Sequence, residues 1–262
     1  MKWLVVFFVG MTFAVALPRR LAMNKAMSDE TSTSSTVEYR SGDVGVPAYL
    51  TLPEGGRSPF PAIVVAHDYH GLDDFTRGAS RLVAIAADAV VLAVDLHRGQ
   101  TKISHHDAGT SPVDFPRDRA MQDLAAAISY LKSRDDVDPT RIGVIGWGVG
   151  ATLALRLASD RPDLKAVVVC GWLDIPDLMG IDQIEPPILG VFGGATPELE
   201  ISSVLQLEHS LRQRETNVRM VIYPSAKRAF MDPANRGAYR SRDASNAWSN
   251  INAFLTRNLA RR

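Results

Sequence analysis

Short apolar runs alternate with longer amphipathic stretches along most of the chain. Six runs have the length of buried strands, and most of the segments between them repeat apolar residues at helical spacing. The runs are AIVVAH, AVVLAVD, RIGVIGW, KAVVVCGW, PILGVFGG and VRMVIYP, and the helical patterns include RGASRLVAIAA, DRAMQDLAAAISYLKS and ATLALRLAS. Near-continuous apolar strands separated by helices predict an α/β fold, in which a mostly parallel central sheet carries helices on both faces.

Two further elements border this alternating region. Residues 37–53 have extended, β-rich flanks around Gly42-Asp43, which predicts a hairpin. Residues 239–259 predict a final helix that packs back on the sheet. Its packing residues would be Ala247, Trp248, Ile251 and Phe254.

The first 22 residues differ from the rest of the chain. An early Lys, an apolar run and the small-x-small sequence at residues 14–16 indicate a signal peptide. The run is shorter than the roughly 20 apolar residues that a membrane span needs, although Arg19-Arg20 after it would suit an uncleaved anchor. We therefore predict export to the periplasm or the medium, or attachment to a membrane through this segment. The alternative is a cytoplasmic protein that starts at Met27.

The remaining chain divides into a linker and one domain. Residues 23–36 are rich in Ser, Thr and charge, which predicts a disordered linker, and residues 37–262 form the predicted domain. A length of 262 residues with 46% hydrophobic residues suits a single sizeable core.

Charge and cysteine content restrict the function classes. The chain has 29 basic and 29 acidic residues, so its overall charge does not favour nucleic acid, and the predicted partner is a small molecule. The single cysteine, Cys170, excludes a disulfide framework within the chain. Adjacent His105 and His106 with Asp107 indicate a solvated loop rather than a zinc site, and we predict neither a metal nor a cofactor.

The loop GWGVG at the end of the third apolar run carries the strongest local signal. In α/β sheets, ligands bind at the carboxyl ends of the strands. The spacing Gly146-x-Gly148-x-Gly150 is that of the strand-to-helix elbow that presents a Ser or Cys nucleophile, but Gly148 has no side chain. Gly146-x-Gly148-x-x-Ala151 also fits a dinucleotide fingerprint. The motif lies on the third core strand and Asp174 lies too far beyond it, so dinucleotide binding ranks third among our hypotheses.

A series of blocks, in order from about residue 37 to residue 260, resembles the dienelactone hydrolase family. The blocks are HDYHGLDDFTRGASRLVA, AVVLAVDLHRGQT, DLAAAISYLKSRDDVDPTRIGVIGWGVGAT, PPILGVFGGATPE, VIYPSAKRAF and AWSNINAFLTRNL. The resemblance implies an α/β-hydrolase fold, and relatives that hydrolyse lactones and small esters with a Cys-His-Asp triad.

The resemblance also implies which residues stand at the triad positions here. The nucleophile, acid and base positions carry Gly148, Thr196 and Arg228. Glycine cannot attack a carbonyl, threonine supplies no negative charge and a guanidinium cannot accept a proton. We therefore expect a catalytically impaired or non-catalytic protein, a pseudoenzyme of this family.

The backbone of the active-site region remains available for binding. The amide of Val149 and one near Tyr69 would form an oxyanion hole, and Arg228 would make the pocket more positive. We predict a site for a small carboxylate or ester, lined by Asp68, Tyr69, Arg98, Trp147, Gly148, Val149 and Arg228. The alternative is an active ester or lactone hydrolase that uses Cys170 and His67.

Overall fold

The structure is a computed structural model that describes residues 33–100, 115–171, 173, 184–195 and 198–261. Predictions for the leader, most of the linker, His105–Asp107, Asp174 and Thr196 lie outside these residues. Among the described residues, no helix is long and apolar enough to span a bilayer.

One sheet of eight strands forms the centre of the described chain. The strands are β1 (Ser34–Ser41), β2 (Val44–Thr51), β3 (Phe60–Ala66), β4 (Val90–Val94), β5 (Val137–Trp147), β6 (Ala166–Cys170), β7 (Ile188–Gly193) and β8 (Val218–Tyr223). Their order is β1-β2-β4-β3-β5-β6-β7-β8. The pairs β1·β2 and β2·β4 are antiparallel, and all other neighbours are parallel. All six predicted apolar runs are therefore strands, and their parallel arrangement is confirmed.

The hairpin begins earlier than the sequence pattern predicts. Strand β1 starts at Ser34, so residues 34–36 belong to the sheet rather than to the expected linker. These residues pair with Thr51, Leu50 and Tyr49 of β2. Pairing with a buried neighbouring strand thus holds a polar Ser-Ser-Thr stretch in an extended conformation, against its weak local preference.

Five helices of the described chain cover the two faces of this sheet. They are α1 (Asp74–Ala87), α2 (Arg117–Lys132), α3 (Val149–Asp160), α4 (Glu198–Gln213) and α5 (Ser241–Asn258). Helices α2, α3 and α4 contribute to one buried cluster, and α1 and α5 contribute to the other. The core therefore lies in two layers with the sheet between them, as the near-continuous apolar strands predict.

The strand and helix patterns explain how each layer forms. In β3, Ala62, Val64 and Ala66 face the first cluster, whereas Ile63 and Val65 face the second. In α5 the four predicted packing residues all contact the second cluster.

Strand β5 lies between β3 and β6 near the middle of the sheet. Its carboxyl end is therefore surrounded by the loops that follow its neighbours. The turn from β5 into α3 contains Gly148, so the fold brings this turn to the centre of the ligand-binding edge.

Candidate functional site

A cavity of about 260 Å³ opens at the carboxyl edge of the sheet, beside the β5–α3 turn. Four of its walls come from the loop after β3, the β5–α3 turn, the end of β6 and the loop after β8. These walls contribute Asp68, Tyr69, Trp147, Gly148, Cys170 and Arg228. Most of the residues that we predicted for the site are therefore brought together. A larger hollow of about 640 Å³ lies at the opposite edge, but its Arg141 is bound to Asp138 and to the carbonyl oxygens of Leu259 and Pro59, as in a structural contact.

The β5–α3 turn has the geometry of a nucleophile elbow. Gly148 has φ 55° and ψ −119°, a combination that residues with a Cβ rarely adopt. Its N–H donates to the carbonyl oxygen of Cys170 at 3.0 Å, which fixes the turn against the end of β6. A Cβ on Gly146 would overlap the backbone of Gly150 and Ala151. The glycines that suggested a dinucleotide fingerprint are thus required by the turn itself.

The carboxylate of Asp68 occupies the space in front of Gly148. A Cβ atom added to Gly148 would overlap this carboxylate, so Asp68 fills the volume in which a side chain at position 148 would begin. Its Oδ1 atom accepts a hydrogen bond from the Tyr69 N–H at 2.8 Å and one from the Val149 N–H at 3.3 Å. These are the two amides that we expected to form an oxyanion hole. Both point at a carboxylate of the chain itself.

Elementary electrostatics favours this position for Asp68. Val149 is the first residue of α3, and no side chain from Gly148 can satisfy the exposed amides at that helix end. A negative charge at a helix N-terminus contributes about 0.3–1 kcal/mol in exposed sites. Asp68 is half-buried and accepts one hydrogen bond from this helix end, that of the Val149 N–H, so it acts as a cap supplied by a distant segment of the chain.

Two stacked histidines hold the loop that carries Asp68. His67 donates from Nδ1 to the carbonyl oxygen of Asp68 at 2.6 Å, and the Nε2 atom of His97 contacts the carbonyl oxygen of Tyr69 at 2.9 Å. The two rings stack with their centroids 5.1 Å apart. The hydrogen bonds from the two histidine rings therefore fix the backbone of this loop, including the Tyr69 amide.

His67 is unsuited to proton transfer. Its Nε2 atom accepts a hydrogen bond from the Leu96 N–H at 3.0 Å, so both ring nitrogens are engaged, and the side chain is fully buried. Burial lowers the pKa of His67 from its usual 6.5 to about 4, which keeps the imidazole neutral. His67 is a structural residue of the loop, whereas the alternative hydrolase hypothesis requires it to act as a base.

Cys170 lines the cavity but has the properties of a core residue. The side chain is 1% exposed, and burial raises the pKa of its thiol. The thiolate is the nucleophilic form of cysteine, and here its formation is suppressed. We find no base that contacts this thiol among the described hydrogen bonds.

The two predicted arginines lie in different environments. Arg98 does not line the cavity but makes a forked ion pair with the fully buried Asp123 of α2, at 2.9 and 2.6 Å. This placement differs from the expected ligand-binding role, because β4 lies two strands away from β5. Arg228 is exposed and lines the cavity, as expected.

The loops after β7 and β8 are adjacent, as an acid loop and a base loop require. The Ala195 N–H donates to the carbonyl oxygen of Ala226 at 2.8 Å, two residues before Arg228. Thr196, the next residue in the first loop, is outside the described residues.

The cavity is lined by charged residues of both signs, since Arg228 lies there together with three aspartates. Besides Asp68, the side chains of Asp73 and Asp232 line the cavity. Asp73 also caps α1 by accepting hydrogen bonds from the N–H and hydroxyl of Thr76, both at 2.8 Å. Within the described chain, no group of three or more His, Cys, Asp or Glu side chains is arranged to hold a metal ion.

Several lining residues were missed at the sequence level. Aromatic and apolar walls come from Phe75, Phe230 and Met231. The role of Asp68 at the two amides was also missed, although an Asp next to a predicted donor is a useful signal. Asp side chains commonly bind a neighbouring backbone N–H.

Comparison with known proteins agrees with this geometry. The model of the dienelactone hydrolase family matches residues 46–259. The chain belongs to the dienelactone hydrolase family. It is 28% identical over 243 residues to a "probable 2-oxo-3-(5-oxofuran-2-ylidene)propanoate lactonase" of a Bradyrhizobium species, covering 87% of this chain and 96% of that protein. It is 25% identical over 255 residues to a "putative carboxymethylenebutenolidase" of Methylorubrum extorquens, covering 91% and 86% of the two chains.

A solved structure with a similar fold supports the predicted architecture. A dienelactone hydrolase-like promiscuous phosphotriesterase from metagenomic libraries superposes with a TM-score of 0.76 at 21% identity, covering 87% of this chain and 99% of the other. Family membership and this likeness confirm the predicted α/β-hydrolase fold.

Proposed function

We propose that this protein binds a small molecule in the cavity at the carboxyl edge and does not carry out covalent hydrolysis there. The observation that carries the proposal is the contact at the β5–α3 turn. Gly148 supplies no nucleophile, and Asp68 fills the space where one would begin. Its carboxylate also engages both amides that would stabilise a tetrahedral intermediate.

Covalent hydrolysis needs a nucleophile, a base and an oxyanion hole in one place. In this cavity the nucleophile position is empty of side chain and the hole is occupied. The family resemblance puts Arg228 at the base position, and a guanidinium stays protonated. The cavity therefore lacks three of the groups that covalent hydrolysis needs.

The second candidate function is hydrolysis by other residues, and one observation favours it. Cys170 is a thiol that lines the cavity, and relatives are named as hydrolases. Against it stand the raised pKa of this thiol and the engagement of both nitrogens of His67. We therefore rank it second.

The cavity favours a small, uncharged ligand. Its volume of about 260 Å³ lies just below the roughly 300–1,000 Å³ of sites for drug-sized molecules. The walls combine aromatic and apolar side chains with aspartates, which disfavours a free carboxylate. A lactone or ester without an ionised group fits these properties better, and in this it would differ from the propanoate that is named for the lactonase relative.

Turnover and binding assays test the proposal together. Purified full-length protein is incubated with a chromogenic acetate ester and with small lactones, and binding of the same lactones is measured by calorimetry. We expect saturable binding and no turnover above that of a heat-inactivated sample. The triple variant Gly148→Cys, Thr196→Asp, Arg228→His is compared with the same variant carrying Asp68→Ala. The second should gain more activity than the first, because without its carboxylate residue 68 can no longer compete for the amides of Tyr69 and Val149.

Two variants separate the candidate functions. Robust wild-type turnover that Cys170→Ser abolishes would establish the second candidate in place of the first. His67→Gln provides the matched test of the base, since glutamine retains a donor and an acceptor but cannot take up a proton. Absence of any binding to the wild type would contradict the ligand-binding role.

A further inference from the structure

We propose that Asp68 determines the charge selectivity of the cavity: it excludes small anions because its own carboxylate holds the amides that would bind them. This inference rests on the proposed ligand-binding function, since it names the class of ligand that the site rejects and the class that it accepts. The accepted class is uncharged molecules that pack against the aromatic walls.

The geometry shows a bound anion that belongs to the chain. The Oδ1 atom of Asp68 lies 2.8 Å from the Tyr69 nitrogen and 3.3 Å from the Val149 nitrogen. It therefore sits where an oxyanion would sit, at the N-terminus of α3. Residues 68 and 149 are 81 positions apart, so this contact is tertiary rather than local.

An external anion has two disadvantages in competition with Asp68. The carboxylate of Asp68 is tethered one residue from the Tyr69 amide, so its effective concentration at the hole greatly exceeds that of a free ion. An anion that entered beside it would also face three aspartates at the cavity wall, Asp68, Asp73 and Asp232, which among the described residues outnumber the single guanidinium of Arg228 there. An uncharged molecule meets neither obstacle.

The second oxygen of the Asp68 carboxylate, Oδ2, indicates which chemical group a ligand should carry. Oδ1 takes both amide hydrogen bonds, whereas no described residue donates to Oδ2 of Asp68. An uncharged ligand with a hydroxyl or N–H group can donate to this oxygen while its apolar part packs against Phe75, Trp147 and Phe230. A carboxylate ligand has no proton to donate.

Anion binding by matched variants tests the inference. Acetate and inorganic phosphate are titrated into the full-length wild type and the variants Asp68→Ala, Asp68→Asn and Asp232→Ala, by calorimetry and by amide chemical shifts of Tyr69 and Val149. We expect Asp68→Ala to bind acetate at least about tenfold more tightly than the wild type, since two charge-assisted hydrogen bonds become available. Asp232→Ala removes one negative charge from the same cavity but frees neither amide, so its gain in acetate affinity should be much smaller than that of Asp68→Ala.

Asp68→Asn separates occupation of the amides from charge. The asparagine oxygen can accept the same two hydrogen bonds, so this variant should still exclude acetate. Acetate binding by Asp68→Asn as tight as by Asp68→Ala would overturn the inference, as would an equal gain in Asp232→Ala or no gain in a folded Asp68→Ala. If Asp68→Ala fails to fold, the wild type alone decides: acetate-induced shifts of the Tyr69 and Val149 amides contradict the inference, and unchanged shifts support it. None of these measurements involves turnover, so an active wild type would refute the proposed function without touching this result.

Discussion

Replacement of Gly148 by alanine addresses the central contact of the site directly. The new methyl group meets two obstacles: a backbone with φ 55° and the Asp68 carboxylate in front of it. We expect Gly148→Ala to destabilise the protein and to release Asp68 from the amides of Tyr69 and Val149.

The magnitude follows from these two terms. Holding a residue with a Cβ in such a conformation costs roughly 1–3 kcal/mol. Hydrogen bonds to a charged group contribute roughly 1.5–3 kcal/mol each. Asp68 is only half-buried, so water replaces part of the hydrogen bonding that its carboxylate loses. We therefore take about 1–2 kcal/mol for its displacement. Alanine reduces the entropy of the unfolded chain, which offsets about 0.4–1 kcal/mol. The net loss in free energy of unfolding is then about 1–4.5 kcal/mol.

A double-mutant cycle isolates the contact between the two residues. Urea unfolding is measured for the wild type, Gly148→Ala, Asp68→Ala and the double variant. Without the carboxylate, Gly148→Ala should cost only the backbone strain, so the coupling energy should be about 1–2 kcal/mol. Gly171→Ala serves as the control: Gly171 has φ 89°, and a Cβ there would meet only the Gly148 nitrogen, at 3.7 Å. Gly171→Ala should lower the free energy of unfolding through backbone strain, and this loss should be the same with and without the Asp68 carboxylate.

Either of two results would contradict the predicted strain at position 148 and its contact with Asp68. A loss below about 0.5 kcal/mol for Gly148→Ala would mean that the turn is not strained and that Asp68 can move freely. Strict additivity of Gly148→Ala and Asp68→Ala would mean that the carboxylate does not occupy the space in front of position 148.

Two further predictions concern the residues around the site. His67 has a pKa of about 4 in the folded protein and a usual value of 6.5, so the unfolded chain takes up the proton first as the pH falls. The contribution of His67 to the free energy of unfolding is therefore complete above about pH 6.5. The free energy of unfolding should fall by up to about 3 kcal/mol as the pH decreases to 4. Urea unfolding at several pH values should show this dependence in the wild type and less of it in His67→Gln; equal slopes would contradict it. Arg98→Met should cost about 3–5 kcal/mol because it leaves the fully buried Asp123 without its ion-pair partner. Lys132→Met, which breaks the exposed pair with Asp163, should cost less than about 1 kcal/mol in the same assay. A similar loss in both variants would contradict the idea that the burial of Asp123 makes its ion pair important for stability.

The fold could be predicted from the sequence because its strongest signals are local. Each apolar run is long enough for a buried strand and too short for most helices, and the segments between them repeat at helical spacing. The start of β1 was missed because residues 34–36 have no such pattern, and only their pairing with β2 makes them a strand.

The site could be predicted only in part, for a physical reason. The elbow and its two amides follow from a motif whose residues are adjacent in sequence. The contact of Asp68 with Val149 depends on how far apart two loops lie and on one side-chain rotamer, and the sequence encodes neither directly. Arg98 illustrates the same limit: it follows a strand at the correct edge, but β4 lies far enough from β5 for the guanidinium to reach Asp123 of α2 instead.

Gly148 and Asp68 are best understood as one structural unit. A carboxylate can approach the amides of Tyr69 and Val149 this closely only because position 148 has no side chain. Conversely, a chain with Gly148 but without Asp68 would leave the N-terminus of α3 uncapped at the cavity, which is unfavourable for an exposed helix dipole. A side chain at position 148 and the Asp68 carboxylate at these two amides therefore exclude each other.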